Sequence, residues 1–267
     1  MPKISHLKYP WNGGWVGMML IRGKKNILLD SAVEEAVPTF LKDALADAGI
    51  TFQDLDYLIN THEHEDHSGG NAAIKKIVPA CPTGIHVAGS HRYPFDFTLT
   101  DNMCVDGGDY TLRLLHTPGH SPDASSFLIE EEGVVFTGDS FQGSGAEFSS
   151  LILIQDPAAY CASVEKMQKL AEDGVYNKMY AGHEFVDQNG KLCAEFNGKA
   201  EIIPFLEHCK TTALNYVRFC KEHPEMTIEE CTDAIDDLYG FTKTPLMPFL
   251  RTITVSYLKQ RMKDGTL

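Results

Sequence analysis

Histidine and aspartate side chains are concentrated in one short run of this 267-residue chain. Within residues 61–70 the run contains His62, His64, Asp66 and His67. Three imidazoles and a carboxylate this close together cost stability unless something compensates, and a metal ion would do so. Imidazole nitrogen and carboxylate oxygen are ligands that zinc and other first-row metals prefer. The run follows the strand-like segment 57–60, so we expect it in a loop at a strand end, where functional residues concentrate.

Further candidate ligands occur downstream, each beside a glycine. His120 lies in a turn rich in proline and glycine, Asp139 ends the apolar run 134–139, and His183 follows the shorter run 179–182. Because each follows a strand-like segment, side chains from separate strands are expected to converge on one edge of a sheet. The sequence therefore predicts a metal site built from several parts of the chain.

The order H-x-H-x-D-H, then H, D and H, resembles that of the metallo-β-lactamase superfamily of metal-dependent hydrolases. Asp30, at the end of the apolar segment 27–29, matches the early strand-end aspartate of that family. The motifs extend over residues 15–185. Their joint appearance in the correct order is far more specific than any single motif.

The resemblance implies two divalent metal ions and seven ligands. The first ion would be bound by three histidines, His62, His64 and His120. The second would be bound by Asp66, His67 and His183, with Asp139 bridging both ions. Zinc is the metal we expect, and iron and manganese also suit these ligands. The resemblance further implies that Asp30 orients a ligand histidine.

The chemistry expected of such a site is hydrolysis. Two divalent ions about 3.5–4 Å apart can share a water and lower its pKa from about 15.7 towards about 7. The resulting metal-bound hydroxide would attack the carbonyl of a small substrate, and Asp66, beside both sites, is the predicted catalytic residue. Gly69-Gly70-Asn71, residues 182–185 and the helical C-terminus resemble the glyoxalase II-like thioesterases and lactonases, so a thioester, a lactone or an ester is expected.

Three other functions remain open. The first is an iron-dependent oxidoreductase of the same fold, either mononuclear like the sulfur dioxygenases or a di-iron electron carrier. His67 and His183 argue against the mononuclear type, and His64 argues against the di-iron type. The second is a metal-binding sensor without activity. The third is a phosphodiesterase or nuclease, which the charge of the chain disfavours.

The charge and cysteine content restrict the partners. The 37 acidic and 23 basic residues give a formal net charge of −14. Such a surface repels phosphate backbones, so we expect a small-molecule substrate and no nucleic acid. Seven cysteines without a C-x-x-C pair indicate reduced thiols in a cytoplasmic protein. We find no apolar run of signal-peptide or membrane-span length, so no membrane association is expected. Oligomeric state is left undetermined.

The elements that must position the site are mixed α/β. Two strands, 15–22 and 25–29, form a predicted hairpin around Gly23-Lys24. Shorter predicted strands are 57–60, 112–115, 127–129 and 134–139. Predicted helices are 38–49, 72–78 and one that begins at Asp156-Pro157 and ends at Gly174. The resemblance implies a four-layer αββα sandwich with the metals at one edge, between the sheets.

The character of the chain changes near residue 200. We expect a catalytic domain over residues 1–198 and a helical extension over 199–267 that packs on it. A long helix with a broad apolar face begins near residue 200. A second begins with the capping-box pattern 227–230 and ends near Gly240, and a third covers 249–263. About 65 residues bury too little surface to be stable alone, so this extension is not expected to fold independently.

Overall fold

The computed structural model describes residues 1–11, 14–89, 93–142, 153–186, 192–239 and 247–267. Its described strands form two six-stranded sheets. Apolar side chains from both sheets meet in one buried cluster, which includes Met19 and Ile21 of the first sheet and Leu114 and Phe127 of the second. Helices cover the outer face of each sheet. The predicted four-layer αββα sandwich is therefore confirmed.

The first sheet contains the N-terminal half of the strands in sequence order. They are β1 (Lys3–Trp11), β2 (Gly14–Arg22), β3 (Asn26–Leu29), β4 (Tyr57–Ile59), β5 (Thr83–His86) and β6 (Phe97–Leu99). The first three strands pair antiparallel, and β3 to β6 pair parallel. The expected hairpin of β2 and β3 is confirmed, and β1 adds a strand that the sequence pattern does not indicate.

The second sheet contains the remaining strands, again in sequence order. They are β7 (Cys104–Asp106), β8 (Thr111–His116), β9 (Ser125–Ile129), β10 (Val134–Phe136), β11 (Lys178–Val186) and β12 (Leu192–Asn197). All neighbours are antiparallel except β10 and β11, which are parallel. A helix connects these two parallel strands, as a parallel crossover requires.

Strand β2 shows why the sandwich needs four layers. Successive side chains of a strand point to opposite faces, so Met19 and Ile21 enter the cluster between the sheets. Met18 and Leu20 point the other way and pack under the helices of the first sheet. A strand buried on both faces is apolar at nearly every position, which explains the unbroken apolar run of β2.

The helices lie outside the sheets or at the C-terminus. They are α1 (Lys42–Asp47), α2 (Glu65–Ser68), α3 (Asn71–Ile77), α4 (Pro157–Glu172), α5 (Lys199–Glu222), α6 (Ile228–Tyr239) and α7 (Met247–Lys263). A π-helical turn, Val37–Leu41, leads into α1. The predicted start of α4 is confirmed, because the Asp156 carboxylate accepts hydrogen bonds from the N–H groups of Ala158 and Ala159 at 3.0 Å.

The C-terminal helices continue the outer layer. Phe205 and Cys209 of α5 pack with Val164 and Met167 of α4 against the second sheet. The far end of α5 joins α6 and α7 in a separate apolar cluster. The helical C-terminal region is thus present, while the division at residue 198 stays a prediction. All seven cysteines are free thiols. No helix in the described ranges is long and apolar enough to cross a membrane.

His6 of β1 is a buried base in an apolar environment. Both of its ring nitrogens are inaccessible to solvent. Its ring packs edge-on against Trp15, Phe136 and Tyr180, at centroid distances of 5.4, 6.0 and 5.0 Å. Burial, and after it the charge of Lys8, lowers the pKa of His6 from 6.5 to about 3. The folded chain therefore keeps His6 neutral over a wide range of pH.

This burial makes stability depend on pH. The unfolded chain binds a proton at His6 below pH 6.5, and the folded chain does not until about pH 3. The contribution is complete above pH 6.5 and is lost as the pH falls, by up to about 3 kcal/mol near pH 4.5. We expect His6→Phe to remove this loss, measured by urea unfolding of metal-free protein at neutral and acidic pH. Equal losses of unfolding free energy in the wild-type and His6→Phe proteins would contradict the low pKa assigned to His6.

Candidate metal centre

The loops that follow β4, β8 and β10 meet strand β11 at one edge of the sandwich. His62 and His64 follow β4, His120 follows β8, and Asp139 follows β10. Asp66 and His67 lie on the one-turn helix α2. The expected loop is therefore partly helical. Asp66 and His67 are consecutive residues on this single helical turn.

His183 lies inside a strand and not after one, which corrects the sequence-based placement. Strand β11 continues to Val186, and its pairing with β12 is irregular between Tyr180 and Phe185. Gly182 lies in this irregular part, and a Cβ atom there would lie 2.5 Å from Oδ1 of Asp139. The absence of a side chain at residue 182 lets β11 approach the Asp139 carboxylate closely.

Three histidines form the first ligand cluster. Nδ1 of His64 lies 3.0 Å from Nε2 of His62 and 3.0 Å from Nε2 of His120. His62 and His120 are almost completely buried. One ligand atom from each side chain falls within 4.8 Å of the others.

Hydrogen bonds assign the tautomers of two of these rings. Nδ1 of His120 lies 3.0 Å from the carbonyl oxygen of Leu153, which only accepts, so Nδ1 carries the proton. The Thr61 hydroxyl donates to Asp30 and therefore accepts from Nδ1 of His62 at 3.1 Å. Both rings consequently present an unprotonated Nε2 to the centre of the cluster, as metal ligands must.

Two histidines and two aspartates form the second cluster. Oδ1 of Asp139 lies 3.1 Å from Nε2 of His67, and Oδ2 lies 3.4 Å from Nε2 of His183. Oδ2 of Asp66 lies 3.3 Å from Nε2 of His183 and 3.7 Å from Nε2 of His67. One donor atom of each of the four side chains again lies within 4.8 Å of the others.

Fixed acceptors orient both histidines of the second cluster. Nδ1 of His67 donates to Oδ2 of Asp30 at 2.9 Å. Nδ1 of His183 donates to the main-chain carbonyl of Trp15 at 2.8 Å. Each ring therefore directs Nε2 toward the carboxylates. The role of Asp30 implied by the family resemblance agrees with this geometry.

The donor atoms of the second cluster fit a metal ion. Nε2 of His67 and Oδ1 of Asp139 are buried, and neither forms a well-oriented hydrogen bond within the described part of the chain. Their 3.1 Å separation reflects two groups that face a common point. Buried polar atoms without such partners are rare and need an explanation. A divalent cation between these atoms would satisfy both.

The two clusters differ in charge. Burial lowers the pKa of His62 well below its usual value, and the neighbouring histidines lower it further. Burial, and after it His64, lowers the pKa of His120 to about 4. At physiological pH His62 and His120 are therefore neutral, so neither ring needs to lose a proton before it binds a cation.

The second cluster is a network of ion pairs. Burial opposes the charged form of His183, but the carboxylates of Asp139 and Asp66 outweigh burial and raise its pKa to about 10. The same carboxylates raise the pKa of His67. Burial opposes the ionisation of Asp139, but His183 and His67 hold the pKa of its carboxyl well below the usual value. Cation binding here must displace protons from imidazole.

All seven side chains that the sequence predicts as ligands are thus brought together. Several residues that support them were missed. Thr61 directly precedes His62, and Asp123 lies three residues after His120 and accepts from the N–H of Glu63 at 2.8 Å. Their position beside ligands was the available signal. Trp15 acts through its carbonyl, which no side-chain pattern reveals. Gln142, which contacts Asp139, also escaped sequence reasoning.

Comparison with known proteins agrees with this geometry. Residues 12–173, more than half of the chain, match the model of the Metallo-beta-lactamase superfamily. The probable hydroxyacylglutathione hydrolase glo2 of Schizosaccharomyces pombe is 28% identical over 191 residues, 70% of this chain and 70% of that protein. An atrochrysone carboxyl ACP thioesterase of Claviceps purpurea is 28% identical over 219 residues, 82% of this chain and 64% of that protein.

A solved structure shows the same fold. A metallo-beta-lactamase family protein from Thermus thermophilus superposes with a TM-score of 0.73 at 19% identity, covering 98% of this chain and 94% of that one. The matches to the curated relatives are shorter, since the chain spans between 41% and 70% of the length of the first four. The sandwich fold and the order of the candidate ligands along the chain agree with the match to the family model. This chain belongs to the metallo-beta-lactamase superfamily.

Proposed function

We propose that this chain is a dinuclear metal-dependent hydrolase that cleaves a carbonyl ester or thioester bond in a small substrate. The observation that carries the proposal is the position of Asp139. Its Oδ2 lies 3.4 Å from Nε2 of His183 in the second cluster and 3.8 Å from Nε2 of His120 in the first. One carboxylate therefore faces both clusters, as a bridging ligand must.

The chain's own residues have separate tasks. The first cluster would hold one ion through three imidazoles, and the second cluster would hold the other through two imidazoles and two carboxylates. When bound, two divalent ions supply Lewis acidity that lowers the pKa of water towards about 7 and polarises a carbonyl. Asp66 is 16% exposed, whereas His67 is fully buried. The carboxylate of Asp66 can therefore orient a nucleophile and carry a proton to the leaving group.

The substrate class we favour is a thioester. The relatives include a probable hydroxyacylglutathione hydrolase and ACP thioesterases. Both names describe the hydrolysis of a thioester. Lactones and oxygen esters present the same carbonyl chemistry and remain the nearest alternatives. The net charge of −14 argues against nucleic acid as the substrate.

We propose zinc as the native metal, because imidazole and carboxylate ligands suit it. Iron and manganese fit the same donors, and availability often decides between them. The seven free thiols suit a reducing compartment such as the cytoplasm.

The test is hydrolysis by protein stripped with chelator and reloaded with zinc, manganese or iron. Acyl-glutathione thioesters, acyl-carrier thioesters, lactones, simple esters and phosphodiesters form the panel, and proton release is the readout. We expect two metal ions per chain and turnover of a thioester that chelator abolishes. One iron per chain with oxygen uptake would favour the oxidoreductase, and turnover of phosphodiesters alone would overturn the carbonyl assignment.

A further inference from the structure

The carboxamide of Gln142 contacts a predicted ligand of the metal centre, although Gln142 is not part of the ligand motifs. Gln142 lies three residues after Asp139 and is 9% exposed. Its Nε2 donates to Oδ2 of Asp139 at 3.0 Å, and its Oε1 accepts from the N–H of Leu153 at 2.9 Å. Because a carboxylate only accepts and a backbone N–H only donates, these partners fix the orientation of the amide.

Leu153 extends this contact to the first cluster. The Leu153 carbonyl accepts from Nδ1 of His120 at 3.0 Å. A continuous series of hydrogen bonds therefore runs from His120 through Leu153 and Gln142 to Asp139. The series joins a ligand of the first cluster to the carboxylate that faces both clusters.

The main chain around this series is held by the outer helices. The N–H of Gln142 donates to the Tyr160 hydroxyl of α4 at 3.4 Å, and its carbonyl accepts from Sγ of Cys209 of α5 at 3.5 Å. Next to Leu153, the N–H of Ile154 donates to the Thr254 hydroxyl of α7 at 3.1 Å. The C-terminal helices thus contact the main chain at Gln142 and at Ile154, the residue after Leu153.

A neutral donor suits this place. A carboxylate oxygen has lone pairs for more than one partner, so Oδ2 of Asp139 can accept from Gln142 and still face a cation. A lysine or arginine there would compete with the cation for the negative charge. The amide directs the carboxylate without reducing its charge.

We propose that Gln142 is a positioning residue that orients Asp139 and, through Leu153, His120 for metal binding, and that the C-terminal helices brace it. This inference rests on the proposed dinuclear site. It gives the helical extension a role in metal affinity in addition to packing.

The test is metal binding by the Gln142→Met protein. Methionine is close to glutamine in size and can neither donate to Asp139 nor accept strongly from Leu153. Loss of such an outer partner lowers metal affinity by about 10–100-fold in comparable sites. We expect a loss in that range for Zn²⁺, measured by chelator competition, and a changed visible spectrum of the Co²⁺-loaded protein.

Two further variants make the result specific. Gln142→Leu also removes both side-chain hydrogen bonds and adds no charge, so its affinity should fall by a similar factor. Gln168→Met makes the same chemical change on α4, where Gln168 donates to Glu207 at 3.1 Å, and should leave affinity and spectrum unchanged. If Gln142→Met fails to fold, Gln142→Leu alone decides the outcome.

The outcomes separate this inference from the proposed function. Wild-type affinity and spectrum in both Gln142 variants would overturn the inference and leave the hydrolase proposal intact. Lowered thermal stability with unchanged affinity would reduce Gln142 to a structural residue and also overturn it. A wild-type chain that binds fewer than two metal ions would overturn the dinuclear proposal itself.

Discussion

Asp66→Asn protein is expected to lose turnover by about two to four orders of magnitude, the range that a positioned general acid or base contributes. Asparagine keeps the size and one carbonyl oxygen but loses the charge and the ability to carry a proton. Oδ2 of Asp66 lies 3.3 Å from Nε2 of His183, so the group is close to the reacting region. The kcat of reloaded protein, normalised to its metal content, is the measurement.

Metal content separates the two tasks of Asp66. The first cluster contains no atom of Asp66, so its ion should remain bound in both Asp66→Asn and Asp66→Ala proteins. Asp66→Ala removes a ligand oxygen and should also weaken the second ion. Glu65→Gln is the matched control, because Glu65 is the exposed neighbour that accepts from the Tyr93 hydroxyl at 2.7 Å. A wild-type rate in Asp66→Ala with both ions bound would show that the assigned role is wrong.

The ligand set was predictable because its chemistry is local. Residues 62–67 place four candidate metal ligands directly after a strand, and a pattern that costs stability implies a compensating metal ion. His120 follows β8 and Asp139 follows β10, and these two strands run in the same direction on either side of β9, so both end at the same edge of the second sheet. The positions of these residues therefore carry most of the information about which side chains converge.

The supporting groups were not predictable for a different reason. Nδ1 of His183 is held by the carbonyl of Trp15, 168 residues away along the chain. Gln142 and Leu153 are 11 residues apart, and Leu153 and His120 are 33 apart. These contacts depend on how β2 and β11 and the outer helices pack. Main-chain donors and acceptors are the same at almost every residue, so sequence patterns do not mark them.

The position of His183 shows the limit of reasoning from strand ends. The apolar run 179–182 ends at His183, which suggested a strand that stops there. In the structure β11 continues to Val186, because its pairing with β12 shifts between Tyr180 and Phe185 and then resumes. Such irregularities are common next to active sites, where they redirect a side chain. The redirected side chain here is a predicted ligand.

Asp30→Ala is the second substitution with a large expected effect. The Asp30 carboxylate is fully buried and accepts from the Thr61 N–H at 2.7 Å, the Thr61 hydroxyl at 2.9 Å and Nδ1 of His67 at 2.9 Å. Removing it leaves these donors buried without an acceptor. Breaking a buried pair in this way costs about 3–5 kcal/mol of unfolding free energy. Metal affinity should fall by about 10–100-fold, because His67 and His62 lose their orientation.

Backbone strain contributes to this loss and can be measured separately. Asp30 has a φ of 64°, a left-handed conformation that aspartate and asparagine tolerate better than alanine. Asn102 has the same φ of 64° and lies exposed in a turn. Asn102→Ala therefore gives the strain, about 1–2 kcal/mol, together with the loss of one exposed hydrogen bond from the side chain of Asn102 to Asp101. Equal losses of stability in the two alanine variants would confine Asp30 to a backbone role.

Asp30→Asn isolates the hydrogen bonding, because asparagine preserves both the volume and the backbone preference. An asparagine has one acceptor oxygen, whereas Asp30 uses both of its oxygens, Oδ1 toward the Thr61 N–H and Oδ2 toward His67. Either orientation of the amide sets its NH₂ group against a donor. We expect stability and metal affinity between those of wild type and Asp30→Ala, measured by denaturant unfolding and chelator competition. Wild-type metal affinity in Asp30→Asn would show that His67 needs no carboxylate to orient it.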